Sequence, residues 1–152
     1  MALSEQARER VKRAAGYQCE YCKMRLWPLT VDHVIPKFRW SATDERERHQ
    51  LPFADPDDER NLCCACFECN VIGKRQRETG VDPHTGDVVR LFNPRSDDWS
   101  DHFEWVEGFI EIRGRTAVGR ATVELLGLNS DRYREQRLLL RAGESKGLGA
   151  WP

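Results

Sequence analysis

The sequence predicts one small domain of the α+β class that is built around a metal site. Its 152 residues suit a single ordinary domain. Segments with helical periodicity lie near both ends of the chain, and β-prone segments bounded by Gly and Pro lie between them. All six cysteines fall in two short clusters with C-x-x-C spacing, which is typical of zinc sites.

The N-terminal half is predicted to contain a helix, a strand and an insertion. The helix begins after Ser4, a good N-cap residue, and ends before Gly16. Residues 29–35 are β-prone, and Pro36 closes this strand. Residues 41–60 are charged and interrupted by two prolines, so we expect an irregular, acidic insertion there.

The rest of the chain is predicted to hold a helix, a strand, a β-hairpin and two C-terminal helices. We expect them at residues 66–77, 88–92, 103–112, 116–126 and 130–141, with the first of these helices ending near Gly80, a turn at 82–86 and the hairpin turn at Glu107-Gly108. This order predicts a core over residues 1–80. Residues 81–142 would pack on that core as part of one domain, and residues 143–152 would form a tail.

The charge distribution is compatible with a nucleic-acid partner. A net charge of −1 argues against a protein coated in positive charge, but the local distribution matters more than the sum. Residues 1–39 carry eight basic and four acidic side chains, whereas residues 40–70 carry three basic and eight acidic ones. Because the sequence shows neither a long apolar run nor a signal-like N-terminus, we expect a cytoplasmic protein without a membrane partner.

The cysteine spacing indicates one metal site made from two C-x-x-C pairs. The first cluster is Cys19 and Cys22, and the second is Cys63, Cys64, Cys66 and Cys69. Two thiolates three residues apart can reach one ion from a tight knuckle, and two such pairs complete a tetrahedral zinc site. A disulfide framework would scatter the cysteines and would require an oxidising compartment. The second pair is either Cys63 with Cys66 or Cys66 with Cys69, because the spacing allows both.

A group of polar residues accompanies the two knuckles. Asp32 and His33 adjoin each other at the end of the predicted strand, where the backbone can direct them toward one ion and one substrate. A carboxylate suits a hard divalent ion, and a neutral imidazole suits proton abstraction from water. Asn70 directly follows Cys69, so a metal ligand at 69 would aim the Asn70 amide oxygen as a second hard ligand. Asn61 could orient a loop through hydrogen bonds.

Taken together, these motifs carry a family resemblance. They are C-x-x-C at 19–22, V-D-H-V-I-P-K at 31–37 and N-L-C-C-A-C-F-E-C-N at 61–70. This succession of a knuckle, a D-H-x-x-P strand, an N-L lead-in and a closing C-x-x-C-N resembles the zinc-containing HNH endonucleases. Later strings, such as D-P-H-T-G at 82–86, are similar to those of small bacterial members, so the resemblance extends over residues 8–130.

The resemblance implies a ββα-metal core with a structural zinc site made of four cysteines. It implies that the zinc ligands are Cys19, Cys22, Cys66 and Cys69. Cys63 and Cys64 would then be strand residues that pack inward. The chain departs from the family pattern in the long segment between His33 and Asn61 and in the missing glycine pair after D-H-x-x-P. The family's basic residue after C-N corresponds to Lys74, one position later than usual.

The same resemblance implies roles for the polar residues. His33 corresponds to the general base, and Asn61 corresponds to the middle asparagine of the family signature. Asp32 and Asn70 correspond to the ligands of one catalytic ion. Because both ligands bind through oxygen, the preferred ion would be Mg²⁺ or Mn²⁺.

The function implied is metal-dependent hydrolysis of DNA phosphodiester bonds. The side chains expected to hold backbone phosphates are Lys37, Arg39, Lys74, Arg75 and Arg77. The alternative is a catalytically silent zinc-knuckle module that binds nucleic acid or protein, which accounts for the cysteines but not for Asp32, His33 and Asn70. A redox role for the C-x-x-C pairs does not explain why they flank the Asp-His pair. The sequence leaves the oligomeric state open between monomer and dimer.

Overall fold

In the residues that the structure describes, the protein is a mixed α/β structure with three small two-stranded antiparallel sheets. A computed structural model describes residues 2–25 and 28–144. The chain divides into two compact units, one of Met1–Glu78 with Asn93–Ser96 and the other of Thr79–Phe92 with Asp97–Pro152. In the described ranges, no helix is both long enough and apolar enough to cross a membrane.

Helix α1 opens the N-terminal unit and spans Glu5–Ala14, as predicted. Its N-cap is Ser4, whose hydroxyl oxygen accepts a hydrogen bond from the Ala7 backbone N–H at 3.2 Å. The chain leaves the helix through Gly16, which has a φ of 62°. The buried face of α1 contributes Val11 to the core of this unit.

Strands β1, Leu29–His33, and β2, Leu62–Cys66, pair antiparallel and form the sheet of the N-terminal unit. Every residue of β2 is buried, because small apolar side chains occupy both of its faces. The register places Asp32 opposite Cys63 and His33 opposite Leu62. A short π-helical segment, Glu68–Lys74, follows β2 almost directly. The predicted helix over 66–77 is therefore shorter than expected.

The acidic insertion is more ordered than the prediction for 41–60. It contains a short helix, α2, Glu45–His49. This helix begins at Asp44, whose carboxylate accepts a hydrogen bond from the Arg46 backbone N–H at 2.8 Å. Single 3₁₀ turns, Lys37–Ser41 and Glu59–Asn61, flank the insertion. All residues of α2 are exposed, so the apolar periodicity that indicates a helix is absent.

Up to Glu144, where its described residues end, the C-terminal unit holds two hairpins and three helices. The elements are β3, Thr79–Val81; β4, Val88–Arg90; α3, Trp99–His102; β5, Phe103–Val106; β6, Glu111–Gly114; α4, Ala117–Leu126; and α5, Asp131–Glu144. The predicted hairpin and two C-terminal helices are confirmed to within three residues. The sequence does not predict strand β3, because Gly80 is expected to end a helix. Of the predicted tail over 143–152, residues 145–152 lie outside the described residues.

Helix α4 approaches the hairpin β5–β6 at glycine positions. Its N-cap, Thr116, accepts a hydrogen bond from the Gly119 backbone N–H at 3.0 Å. A Cβ atom added at Gly119 would overlap the backbone carbonyl of His102, and one added at Gly114 would overlap the backbone of Arg120. These two glycines therefore permit contact that any side chain would prevent.

We expect Gly119→Ala to destabilise the protein by about 1–3 kcal/mol, the usual cost of overpacking. The new methyl group would meet a backbone carbonyl, which cannot rotate away as a side chain can. Urea denaturation of both proteins measures the difference. Gly80→Ala is the matched control, because its nearest contacts, the Leu91 side chain at 3.2 Å and the Ala121 carbonyl at 3.3 Å, are much more distant than the His102 carbonyl is from a Cβ atom at Gly119. An equal or larger loss in the control would contradict this explanation.

Candidate functional site

Four buried cysteines converge in the N-terminal unit. They are Cys19, Cys22, Cys66 and Cys69, whose sulfur atoms all lie within 4.8 Å of one another. The first pair lies in a knuckle in which the Lys23 backbone N–H donates to the Cys19 carbonyl at 2.9 Å. The second pair joins the end of β2 to the π-helical segment, where the Cys69 backbone N–H donates to Cys66 Sγ at 3.5 Å. The structure thus selects Cys66 with Cys69 as the second pair, and we call these four residues the four-cysteine cluster.

The chemistry of the four-cysteine cluster fits a metal ion. Burial raises the pKa of Cys22 and Cys69 well above the usual thiol value, whereas hydrogen bonds from Cys19, Cys22 and Cys69 lower the pKa of Cys66. Burial thus disfavours the thiolate form, and four ionised sulfur atoms at this place would need a cation to balance their charge. Tetrahedral zinc with Zn–S bonds of about 2.3 Å has sulfur–sulfur edges of about 3.8 Å, and Cys22 Sγ lies 3.8 Å from Cys66 Sγ. The four cysteines could bind a structural metal such as zinc.

The other two cysteines lie outside the cluster and are buried in β2. Cys63 Sγ is 3.7 Å from the Tyr21 hydroxyl and 3.9 Å from Asp32 Oδ2. Cys64 packs in the hydrophobic core with Val11. Burial raises the pKa of Cys64 to about 12, so this thiol remains protonated.

An open pocket of ≈ 280 Å³ lies at the end of β1. Three of the four predicted catalytic residues, Asp32, His33 and Asn70, line this pocket. The other lining residues are Val31, Pro36, Lys37, Arg75 and Gln76. Strand β1 supplies the Asp-His pair, and the π-helical segment that starts at the four-cysteine cluster supplies Asn70.

Asp32 belongs to a buried polar network. Its side chain is 4 % exposed, and Oδ2 accepts a hydrogen bond from the Tyr21 hydroxyl at 2.8 Å. Lys74 Nζ lies 3.1 Å from the same oxygen. Burial raises the pKa of Asp32 above its usual value, while Lys74 and Tyr21 oppose that shift. The lysine ammonium is the principal partner of this carboxylate.

The prediction that Lys74 holds a DNA phosphate is corrected by its position. Lys74 is 1 % exposed, and Nζ also donates a hydrogen bond to the His33 backbone carbonyl at 3.1 Å. Removing Lys74 from this position would leave Asp32 buried without its cation, which is costly. Its charge neutralises the buried Asp32 carboxylate and is not exposed at the surface.

His33 contacts a residue that the sequence analysis does not single out. His33 Nε2 lies 2.8 Å from Oδ1 of Asp57, which belongs to the acidic insertion. Lys37 Nζ lies 2.7 Å from the same carboxylate oxygen. Although burial opposes it, hydrogen bonds from Lys37 and His33 hold the pKa of Asp57 below its usual value. No motif distinguishes Asp57 from the other acidic residues of the insertion, so the sequence carries no signal for it.

The two asparagines have different surroundings. Asn61 is buried and away from the pocket lining; its Oδ1 accepts from the Ile35 N–H at 2.9 Å, and its Nδ2 donates to the carbonyls of Ile35 and Pro56. It therefore joins the segment that follows β1 to the loop at Pro56, in keeping with the hydrogen-bonding role expected from the sequence. Asn70 Nδ2 donates to Thr30 Oγ1 at 2.8 Å, which leaves Oδ1 as the amide atom for a ligand.

The remaining predicted basic residues surround the pocket unevenly. Arg39 forms an ion pair with Glu78 at 2.8 Å, just as Lys37 pairs with Asp57. Arg75 lines the pocket, and both Arg75 and Arg77 are exposed. Arg75 and Arg77 are thus exposed cations at the end of the π-helical segment.

We compared the chain with known proteins in three ways. Family models, curated proteins and solved structures each returned no match to this chain.

We expect Cys66→Ser to release the metal and unfold much of the N-terminal unit, because binding energy at a structural zinc site is folding energy, on the order of 10 kcal/mol. Cys64→Ser is the matched control, since Cys64 is a buried cysteine of the same strand that lies outside the four-cysteine cluster. Elemental analysis should find about one zinc per chain in the control and none in Cys66→Ser. Zinc lost only from Cys64→Ser would contradict the ligand assignment.

Proposed function

We propose that this protein is a metal-dependent endonuclease of the HNH type that hydrolyses DNA phosphodiester bonds on a ββα-metal core. The observation that carries the proposal is the convergence of Asp32, His33 and Asn70 on one open pocket. The order of β1, β2 and the π-helical segment agrees with a ββα arrangement. Zinc in the four-cysteine cluster would be structural, since four protein thiolates leave no position for water.

The donor atoms of the pocket fit a hard divalent ion. Asp32 offers a carboxylate and Asn70 an amide oxygen, and oxygen ligands are those that Mg²⁺ and Mn²⁺ prefer. When bound, such an ion would supply charge stabilisation for the scissile phosphate and the departing oxygen. The hydrogen bond from Asn70 Nδ2 to Thr30 Oγ1 leaves the amide oxygen for this role.

The chain's own residues would perform the remaining tasks. His33 takes a proton from the attacking water as the new P–O bond forms and the bond to the leaving 3′ oxygen breaks. Arg75 and Arg77 hold backbone phosphates near the pocket, and Lys37 and Arg39 become available to phosphate where DNA competes with Asp57 and Glu78. These contacts carry no base-edge recognition, so binding should be sensitive to salt and tolerant of sequence.

The second candidate is a zinc-knuckle module that binds nucleic acid without cutting it. One observation favours it: the Lys74 ammonium already neutralises Asp32 at 3.1 Å. A protein without catalytic activity would keep this ion pair and would not need a divalent ion to neutralise Asp32. Binding of Mn²⁺ to the wild-type protein with zinc in place therefore distinguishes the two functions.

We expect Asn70→Ala to abolish divalent-ion-dependent cleavage of plasmid DNA while zinc content and fold persist. The variant removes an oxygen ligand of the pocket and leaves the buried Asp32–Lys74 pair intact. Asp32→Ala, in contrast, would break that pair. Gln76→Ala is the matched control, because it removes another amide from the lining of the same pocket. Full activity of Asn70→Ala at ordinary Mg²⁺ concentrations would exclude Asn70 as a ligand.

We expect His33→Ala to lose about 10²–10⁴-fold in single-turnover cleavage rate, the usual contribution of a positioned general base. DNA affinity should persist, because the phosphate contacts come from Arg and Lys side chains. His49→Ala, in the exposed helix α2, provides the control. If the wild-type protein binds DNA but no divalent ion supports cleavage of any DNA structure, the result would favour the zinc-knuckle module.

A further inference from the structure

We infer that Asp57 is a positioning residue for His33, which holds the imidazole with its Nε2–H toward the insertion and its Nδ1 as the basic atom. The inference rests on the proposed function and extends it to the acidic insertion. It gives that segment a specific task, which is to orient the general base.

The hydrogen bond between the two side chains fixes the ring nitrogen that carries the proton. His33 Nε2 lies 2.8 Å from Asp57 Oδ1, and an ionised carboxylate can only accept a hydrogen bond. Nε2 is therefore the donor, and Nδ1 keeps the lone pair that can take a proton from water. The carboxylate also stabilises the imidazolium that forms after proton transfer.

Several contacts hold Asp57 in this position. The Asp57 backbone N–H donates to Asp55 Oδ1 at 2.8 Å, which shapes the loop locally. The neighbouring carbonyl of Pro56 accepts a hydrogen bond from Asn61 Nδ2 at 2.9 Å, and the same nitrogen donates to the Ile35 carbonyl. One buried asparagine thus links the loop that carries Asp57 to the segment that follows His33. Positioning of this kind requires such rigidity.

The competing interpretation is that Asp57 is an electrostatic barrier. Its carboxylate contacts Lys37 and His33, two side chains that could also contact a DNA phosphate. A barrier would weaken DNA binding, so its removal would increase affinity and rate. Removal of a positioning residue would instead lower the rate of the chemical step at saturating DNA, although the freed Lys37 strengthens binding.

The test compares Asp57→Ala with Glu47→Ala in the full-length, zinc-containing protein. Both variants remove one carboxylate from the insertion, but Glu47 lies in the exposed helix α2. We expect Asp57→Ala to lose about 10- to 100-fold in single-turnover cleavage, the scale seen when a partner that orients a histidine is removed. DNA affinity should rise in Asp57→Ala, because Lys37 loses its carboxylate partner and becomes available to phosphate, so the rates are compared at saturating DNA. Asp57→Asn should not restore the rate, because its amide can donate to Nε2 and so favour the tautomer that carries the proton on Nδ1.

Nitrogen NMR of His33 provides a readout that does not depend on cleavage. The wild-type protein should carry the imidazole proton on Nε2, and Asp57→Ala should show a mixture of tautomers. A wild-type proton on Nδ1, or faster cleavage at saturating DNA in Asp57→Ala, would overturn the inference. A wild-type protein that never cleaves DNA would overturn the proposed function alone, and the tautomer would still decide whether Asp57 orients the ring.

Discussion

The candidate site depends on the convergence of four thiol groups from two distant parts of the chain. Cys19 and Cys22 precede β1, whereas Cys66 and Cys69 join the end of β2 to the π-helical segment. The sheet between them has only two strands of five residues, and such a pair is marginal without further support. A metal ion on the four-cysteine cluster would supply that support. It would also set the position of Asn70, which follows a ligand directly, relative to the end of β1.

A second constraint comes from the buried charge beneath the pocket. The buried carboxylate of Asp32 forms an ion pair with Lys74 and accepts a hydrogen bond from Tyr21. Because both charges lose their hydration, such a buried ion pair contributes little to folding stability. An apolar set of the same size would serve the core as well. The presence of a carboxylate at the pocket is therefore easier to explain by chemistry than by folding, and Lys74 is the group that keeps it there.

How much could be predicted from the sequence differed from residue to residue. The four-cysteine cluster follows from knuckle spacing and a family resemblance, and α1 follows from Ser4 and Gly16, because these signals are local. The role of Lys74 could not be predicted, since its partner Asp32 is 42 residues away and only the fold brings them together. Asp57 is one acid among many in the insertion until the loop places it on His33. Strand β3 is only three residues long, which is too short to show the alternation of apolar and polar residues that predicts a strand.

Zinc X-ray absorption of the purified protein shows whether the four cysteines share one metal ion. We expect one zinc per chain in a shell of four sulfur atoms at about 2.3 Å. Absence of bound zinc, or a first shell that contains nitrogen or oxygen, would contradict this expectation.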